Sequence, residues 1–358
     1  MTPRSRSADS SSSSIRVGRR AAVAGVLSLA CAPSPAKTAA APSPPKPRYS
    51  GQLEDYVPAA GLRWLVRGSP AKLAESQSFR PALDVVFPAE RLRAVAQTSG
   101  FALETLRSGL IAGFDLGTLY LAELPDAKAA VARERFAARQ IRDTAERRPE
   151  PGIVVLSGLN EGVPTGLVTI DDRVVAYGVG DPMLWRVVEA YARGKLKAKR
   201  AFQGASLEGQ DAATRDAPIS IHVPGPFNER WQSAAGGLLS VATSLSAKLI
   251  PSGPERALVE LAIDGDFGDG NAAERLQATY MSVAASSTGA LLGLSQSLDA
   301  RTTANEANDH IVLRAQLALT DIARGARAAT SADLDEIFRL SPVTPSTQTP
   351  PLPPTSSP

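Results

Sequence analysis

The chain has 358 residues, 43% of them hydrophobic and 21% charged, with a formal net charge of +3. The positive surplus sits at the N-terminus, where residues 1–30 hold five arginines and one aspartate. The remainder is near neutral, so the overall pI of 9.1 is no argument for a nucleic-acid partner. Aromatic residues, at 5%, are too sparse for a stacking platform, and the lone cysteine, Cys31, excludes an internal disulfide or a cysteine metal cluster.

In chain order, Arg4, Arg6, the serines Ser10 to Ser14, Arg16 and Arg19-Arg20 precede a short apolar run from Ala21 to Ala30 that ends at Cys31. A membrane-crossing helix needs roughly 20 apolar residues, and this run has half that length. The sequence Ser28-Leu29-Ala30-Cys31, with Leu27 before it and the small Ala30 against the cysteine, resembles the lipobox of a bacterial lipoprotein signal peptide. The resemblance implies that residues 1–30 are a signal peptide and that Cys31 carries lipid. It further implies a cell-envelope protein held to the membrane by that lipid. Ala32, where an inner-membrane lipoprotein commonly has aspartate, points to the outer membrane, facing the periplasm or the exterior. The competing reading is a soluble-secretion signal cut near Ala30 or Ala36.

Residues 31–50, rich in proline, alanine and serine, read as an extended tether, reaching about 3 Å per residue where polyproline-like. Residues 51–198 read as a first α+β half. Pro88 to Thr98 suits a helix, Leu116 to Leu124 a buried strand, and Asp126 to Arg147 a long helix stopped by Pro149 and Pro151. Ile153 to Leu156 reads as a strand. Gly166 to Ile170 and Arg173 to Val179 read as a hairpin about Asp171-Asp172. Asp181-Pro182 starts a helix with Leu184, Val187, Val188 and Tyr191 on its buried stripe.

Residues 199–217 read as a polar linker and residues 218–340 as a second α+β half. There Ile219, Ile221 and Val223 alternate as a strand with His222 facing outward. Asn228 caps a helix expected to carry Trp231, Ala235, Leu238, Ala242, Leu245 and Leu249 on one face. Ala257, Val259, Leu261 and Ile263 mark a strand, and Asn271 with Glu274 a capped helix. Ile311 to Leu319 alternates as another strand, and a last helix runs from Ser331 to Leu340. Residues 341–358 read as a disordered tail. The expected fold is α+β: mixed or antiparallel sheet layers packed with amphipathic helices, in two similar halves.

Chemistry is thin. His222 and His310 have no second ligand at short spacing, so no metal site is expected. The turn Asp264-Gly265-Asp266-Phe267-Gly268-Asp269 fails the calcium-loop spacing after its third position. No catalytic residue and no cofactor is expected. On the helix read over Asp126 to Arg147, Lys128, Arg135, Arg139 and Arg142 recur at i, i+7, i+11 and i+14, a stripe that can meet an anionic surface or an acidic partner, or serve simply as the solvated side of a surface helix.

The functional expectation is therefore a lipid-anchored cell-envelope protein with a non-enzymatic binding or structural role. Its partners would be the membrane, through the lipid on Cys31, and an envelope protein. A metal-independent envelope hydrolase and a carrier of an apolar ligand are the alternatives. For the carrier, the small-residue run Ala234-Ala235-Gly236-Gly237 either leaves room or lets elements approach closely. Mass spectrometry of membrane-extracted protein is expected to find a mature start at Cys31 with an added acyl mass, and Cys31→Ser to leave uncleaved precursor. A start elsewhere, with the variant localised normally, would contradict the lipobox.

Overall fold

The strand Leu62–Gly68 (β1) is followed by three short helices, Pro70–Glu75 (α1), Arg80–Val86 (α2) and Ala89–Ser99 (α3). The hairpin Ser108–Phe114 (β2) and Gly117–Glu123 (β3) comes next. Ala129–Arg139 (α4) then leads into a meander of Arg142–Glu150 (β4), Ile153–Asn160 (β5), Val163–Ile170 (β6) and Val174–Val179 (β7), closed by Met183–Ala192 (α5). Beyond Gln210–Thr214 (α6) come Ile219–Pro224 (β8), Glu229–Ala234 (α7), Ala242–Pro251 (β9), Arg256–Gly265 (β10), Ala272–Ala284 (α8), Leu298–Ala304 (β11) and His310–Ala318 (β12). Residues 319–327 continue as helix. This computed structural model describes residues 49 and 51–327 apart from 127, 141, 205, 269, 287, 288, 290–293, 295 and 296. Cys31, the signal peptide, the tether up to residue 48, the helix expected at Ser331 to Leu340 and the tail lie outside the described residues.

The twelve strands form one sheet in the order β11-β12-β10-β9-β8-β1-β2-β3-β7-β6-β5-β4, antiparallel at every pairing. The α+β expectation is thereby met, with no parallel pair among the described strands. Each half runs strand, helical insert, hairpin, helix and a returning meander whose last strand pairs with the third: β7 with β3, β12 with β10. The halves meet where β1 pairs with β8.

One sheet face is covered by α5, whose Trp185, Val188 and Tyr191 pack on Leu65, Leu119, Val168 and Ala176. The stripe expected on that helix is present, and Asp181 caps it through Oδ1, which accepts from the Met183 N–H at 2.8 Å. The opposite face carries α4, through Ala129, Ala132 and Phe136 against Leu156, Leu167 and Val175. Further along that face α8 packs through Leu276 on Ile263, Ile311 and Leu313. The hairpin at Asp171-Asp172 forms as expected, both residues taking φ near +50° as a tight two-residue connection requires.

Four expectations are corrected. The helix read over Asp126 to Arg147 ends at Arg139, and Arg142 opens β4, an edge strand whose first seven residues are solvent-exposed. The helix read from Asn228 to Leu249 stops at Ala234. Gly236 and Gly237 take φ of +59° and +80°, and Ala242 to Leu249 become β9. The stretch 199–217, read as linker, holds the helical turn Ala201–Gln203 and α6, with Gln210 and Thr214 buried. The alternation in β8 is real but its sign is reversed: His222 is fully buried and Ile221 is 39% exposed.

Candidate functional site

The insert between β1 and β2 is broken into short helices by Pro70, Pro81 and Pro88, and it arches over the α4 face of the sheet. Beneath it lies a cavity of about 380 Å³. Its floor is Val66, Gly109, Ile111, Tyr120, Ala122, Val175 and Ile219, from five neighbouring strands, and its roof is Leu73, Leu83, Phe87, Leu92, Phe101 and Leu103. Close-packed interiors leave few voids larger than a water molecule. Here Leu83, Phe87, Leu92, Phe101, Leu103, Ile111 and Tyr120 stay half-buried around a hollow of ligand size. The charged lining side chains include Arg80 and Asp84, an i,i+4 pair at 3.3 Å, with Glu104 and Arg139. Arg139 stands 6.0 Å from the Tyr177 ring centroid.

On the other face, strand alternation brings a buried polar chain to the middle of the sheet. Arg67 donates from Nη1 to Glu54 (2.8 Å) and Asp211 (2.6 Å), and from Nη2 to Thr214 (3.0 Å). Thr214 spends its proton on the Gln210 carbonyl (2.8 Å), so the Ser220 hydroxyl, 3.1 Å away, is left to donate to Nε2 of His222. Nδ1 of His222 donates to Gln210 Oε1 (3.1 Å), which fixes the neutral tautomer. The Gln210 amide in turn donates to Ser244 (2.5 Å) and Asp264 (2.7 Å), and Asp264 holds Nδ1 of His310 at 2.6 Å. Neither histidine lacks partners, as their sequence spacing had suggested. Both are placed by pairings across the sheet and by α6.

Burial, reinforced by the Arg67 charge and opposed by Asp211, pushes His222 down to about 4. Burial raises Asp211, but hydrogen bonds from Arg215 and Arg67 outweigh it and leave the carboxyl below its ordinary value. Asp264 is also below its ordinary value: burial is opposed by His310, Gln210 and Ser244. This network reads as structural at His222, which no solvent reaches. The outer end differs, since the Asp264–His310 pair borders a polar cleft of about 300 Å³ with Glu208, Lys248 and Glu260. Nδ1 of the His310 ring bonds Asp264 Oδ1, and the Ser244 hydroxyl donates to the other oxygen of that carboxylate at 2.9 Å. No group of three or more His, Cys, Asp or Glu among the described residues is arranged to hold a metal.

The basic stripe is dispersed. Lys128 precedes α4 and pairs with Asp126 at 2.8 Å, Arg135 and Arg139 sit on α4, and Arg142 belongs to β4. Only Arg135 and Arg139 are brought together, Nε of Arg139 donating to the Arg135 carbonyl at 3.4 Å. The run Ala234 to Gly237 lines neither the apolar cavity nor the polar cleft. Its glycines admit α8, and Arg275 donates to the Gly236 carbonyl at 3.2 Å. Most of the cavity residues were missed because α1 and α2, of six and seven residues, are too short to show a period, and the period of α3 marks a helix without marking a cavity beside it. No described helix is long and apolar enough to cross a membrane.

No family model and no curated protein sequence matches this chain. Among solved structures, crystal form III of TP0453 superposes with a TM-score of 0.49 at 9% identity, covering 78% of this chain and 99% of that one. Crystal form I of the same protein gives 0.47 at 8% identity, covering 79% and 97%. Likeness of this size carries no functional argument.

The His222 environment sets a pH dependence. A histidine held at about 4 when folded and near 6.5 when unfolded takes up its proton first in the unfolded chain. Its contribution is complete above about pH 6.5 and is lost as pH falls toward 4. The loss amounts to roughly 3 kcal/mol. Thermal melts of the native chain are expected to fall steeply between pH 6.5 and 4, and His222→Gln to flatten that slope. A variant with the native slope would assign the acid sensitivity elsewhere.

Proposed function

We propose that this protein is a lipid-anchored binding protein of the cell envelope that holds an apolar ligand in the cavity beneath α1, α2 and α3. The observation that carries the reading is the hollow itself. Where the sheet meets α4, α5 and α8, and where Leu73, Phe79 and Ala82 of the insert meet Ala257, its apolar side chains are packed, whereas under the rest of the β1–β2 insert they line unfilled space. A fully packed alternative would bury Leu83, Phe87 and Leu92 at about 25 cal/mol per Å² of apolar surface removed from water. Leaving that gain uncollected is the signature of a site awaiting an occupant. The lipobox-like segment at Cys31 and the tether after it support the envelope location, with the lipid as the membrane contact and the tether as the spacer. Binding of this kind calls for no cofactor and no catalytic residue.

The test is uptake of N-phenylnaphthylamine, whose fluorescence rises in apolar surroundings, by the full chain carrying Cys31→Ser. The native cavity is expected to take up the probe. Val66→Phe, which fills the floor from the centre of β1, is expected to weaken uptake at least about tenfold without lowering the melting temperature. Unchanged uptake in that variant, with the fold retained, would overturn the assignment. A second reading, a metal-independent hydrolase, rests on the Asp264–His310 pair beside the polar cleft. Ester turnover abolished by His310→Ala and untouched by Val66→Phe would favour it.

A further inference from the structure

The cavity does not end at its mouth. Val66, on its floor, pairs with Ile111 on β2 and with Ile221 on β8, so the Ile221 side chain continues the same face one strand over. Two residues back along β1, Trp64 points to that face as well and lies flat over Gly113, its register partner, where a methyl group would already collide with the indole. Ile221 is 39% exposed and Trp64 36%, in the middle of a twelve-stranded sheet where such side chains are ordinarily covered.

We infer that the ligand is a long single aliphatic chain, one end under the insert and the other leaving across Val66 and Ile221 to lie against Trp64. This rests on the cavity reading above and specifies its ligand class. A protein partner is disfavoured by size, since two half-exposed side chains fall far short of the roughly 800 Å² per partner that a stable interface buries. A chain one methylene wide matches a shelf two strands wide, given strands about 4.8 Å apart. Trp64 is then a specificity residue: it touches the part of the ligand that a short chain does not possess.

The experiment is displacement of N-phenylnaphthylamine from the full chain carrying Cys31→Ser, by octanoate and by stearate. Trp64→Ala is expected to weaken stearate about tenfold and to leave octanoate within about twofold. Ile221→Ser, on the neighbouring strand, is expected to give the same length-dependent loss and serves if the tryptophan variant does not keep a cooperative melt. Equal loss for both acids, or no loss for either, overturns the inference while leaving the cavity reading intact. Failure of both acids to displace the probe from the chain with Trp64 and Ile221 unchanged overturns the two together.

Discussion

The buried Arg67 guanidinium, clamped between Glu54 and Asp211, is the interaction on which the rest of the architecture depends. It sits on β1, where the two halves become one sheet. Its partners come from the helical turn Leu53–Tyr56 and from α6, so three separated parts of the chain converge on one charge. A buried ion is tolerated only when paired, and removing either partner leaves a desolvated charge behind. Thr214 accepts from Arg67 and donates to the Gln210 carbonyl, and the Gln210 side chain accepts from His222, which carries the network to β8. The residues between, Leu65 and Val66, then divide the sheet: Leu65 and Arg67 belong to the face with α5, Trp64 and Val66 to the face with the cavity. The polar clamp on one side and the apolar floor on the other are alternate residues of a single strand.

The cavity follows from an inequality between two similar halves. Both place a helical insert after their first strand and on the same face of the sheet. In the second half the insert spans residues 225–241 and its Leu238 and Leu239 fill the core against Ile263 and Leu276. In the first half it spans residues 69–107; Leu73, Phe79 and Ala82 settle against Ala257 at one end, and the rest of the insert bridges over the sheet. The longer span produces a roof, and a roof with an apolar underside produces a pocket.

Much of the fold was legible because many elements have one solvated face. The hairpin at Asp171-Asp172, the stripe on α5 and the alternation of β12 all follow from residue spacing alone. Where the reading failed, spacing was ambiguous or both faces were covered. Leu245 and Leu249 are four apart, a separation that shares a face in helix and strand alike. Only Gly236-Gly237, in left-handed conformation, decide between them. β4 lies at the sheet edge with charged residues on both sides, which suppresses alternation and protects the edge from further pairing. The polar side of β8 looked solvated because its cover, α6, lies within a stretch whose composition resembles a linker. Of the candidate site, only the general idea of an apolar carrier was accessible. Its residues were not, because a cavity is defined by what fails to pack and no sequence period encodes that.

The most direct measurement is native mass spectrometry of the full chain carrying Cys31→Ser, purified without detergent and incubated with one equivalent of stearate. A one-to-one complex that survives transfer, and that Val66→Phe cannot form, is what an apolar cavity on the β1 floor predicts. Ligand-free mass in the unfilled protein, or equal loading of the filled variant, would contradict it.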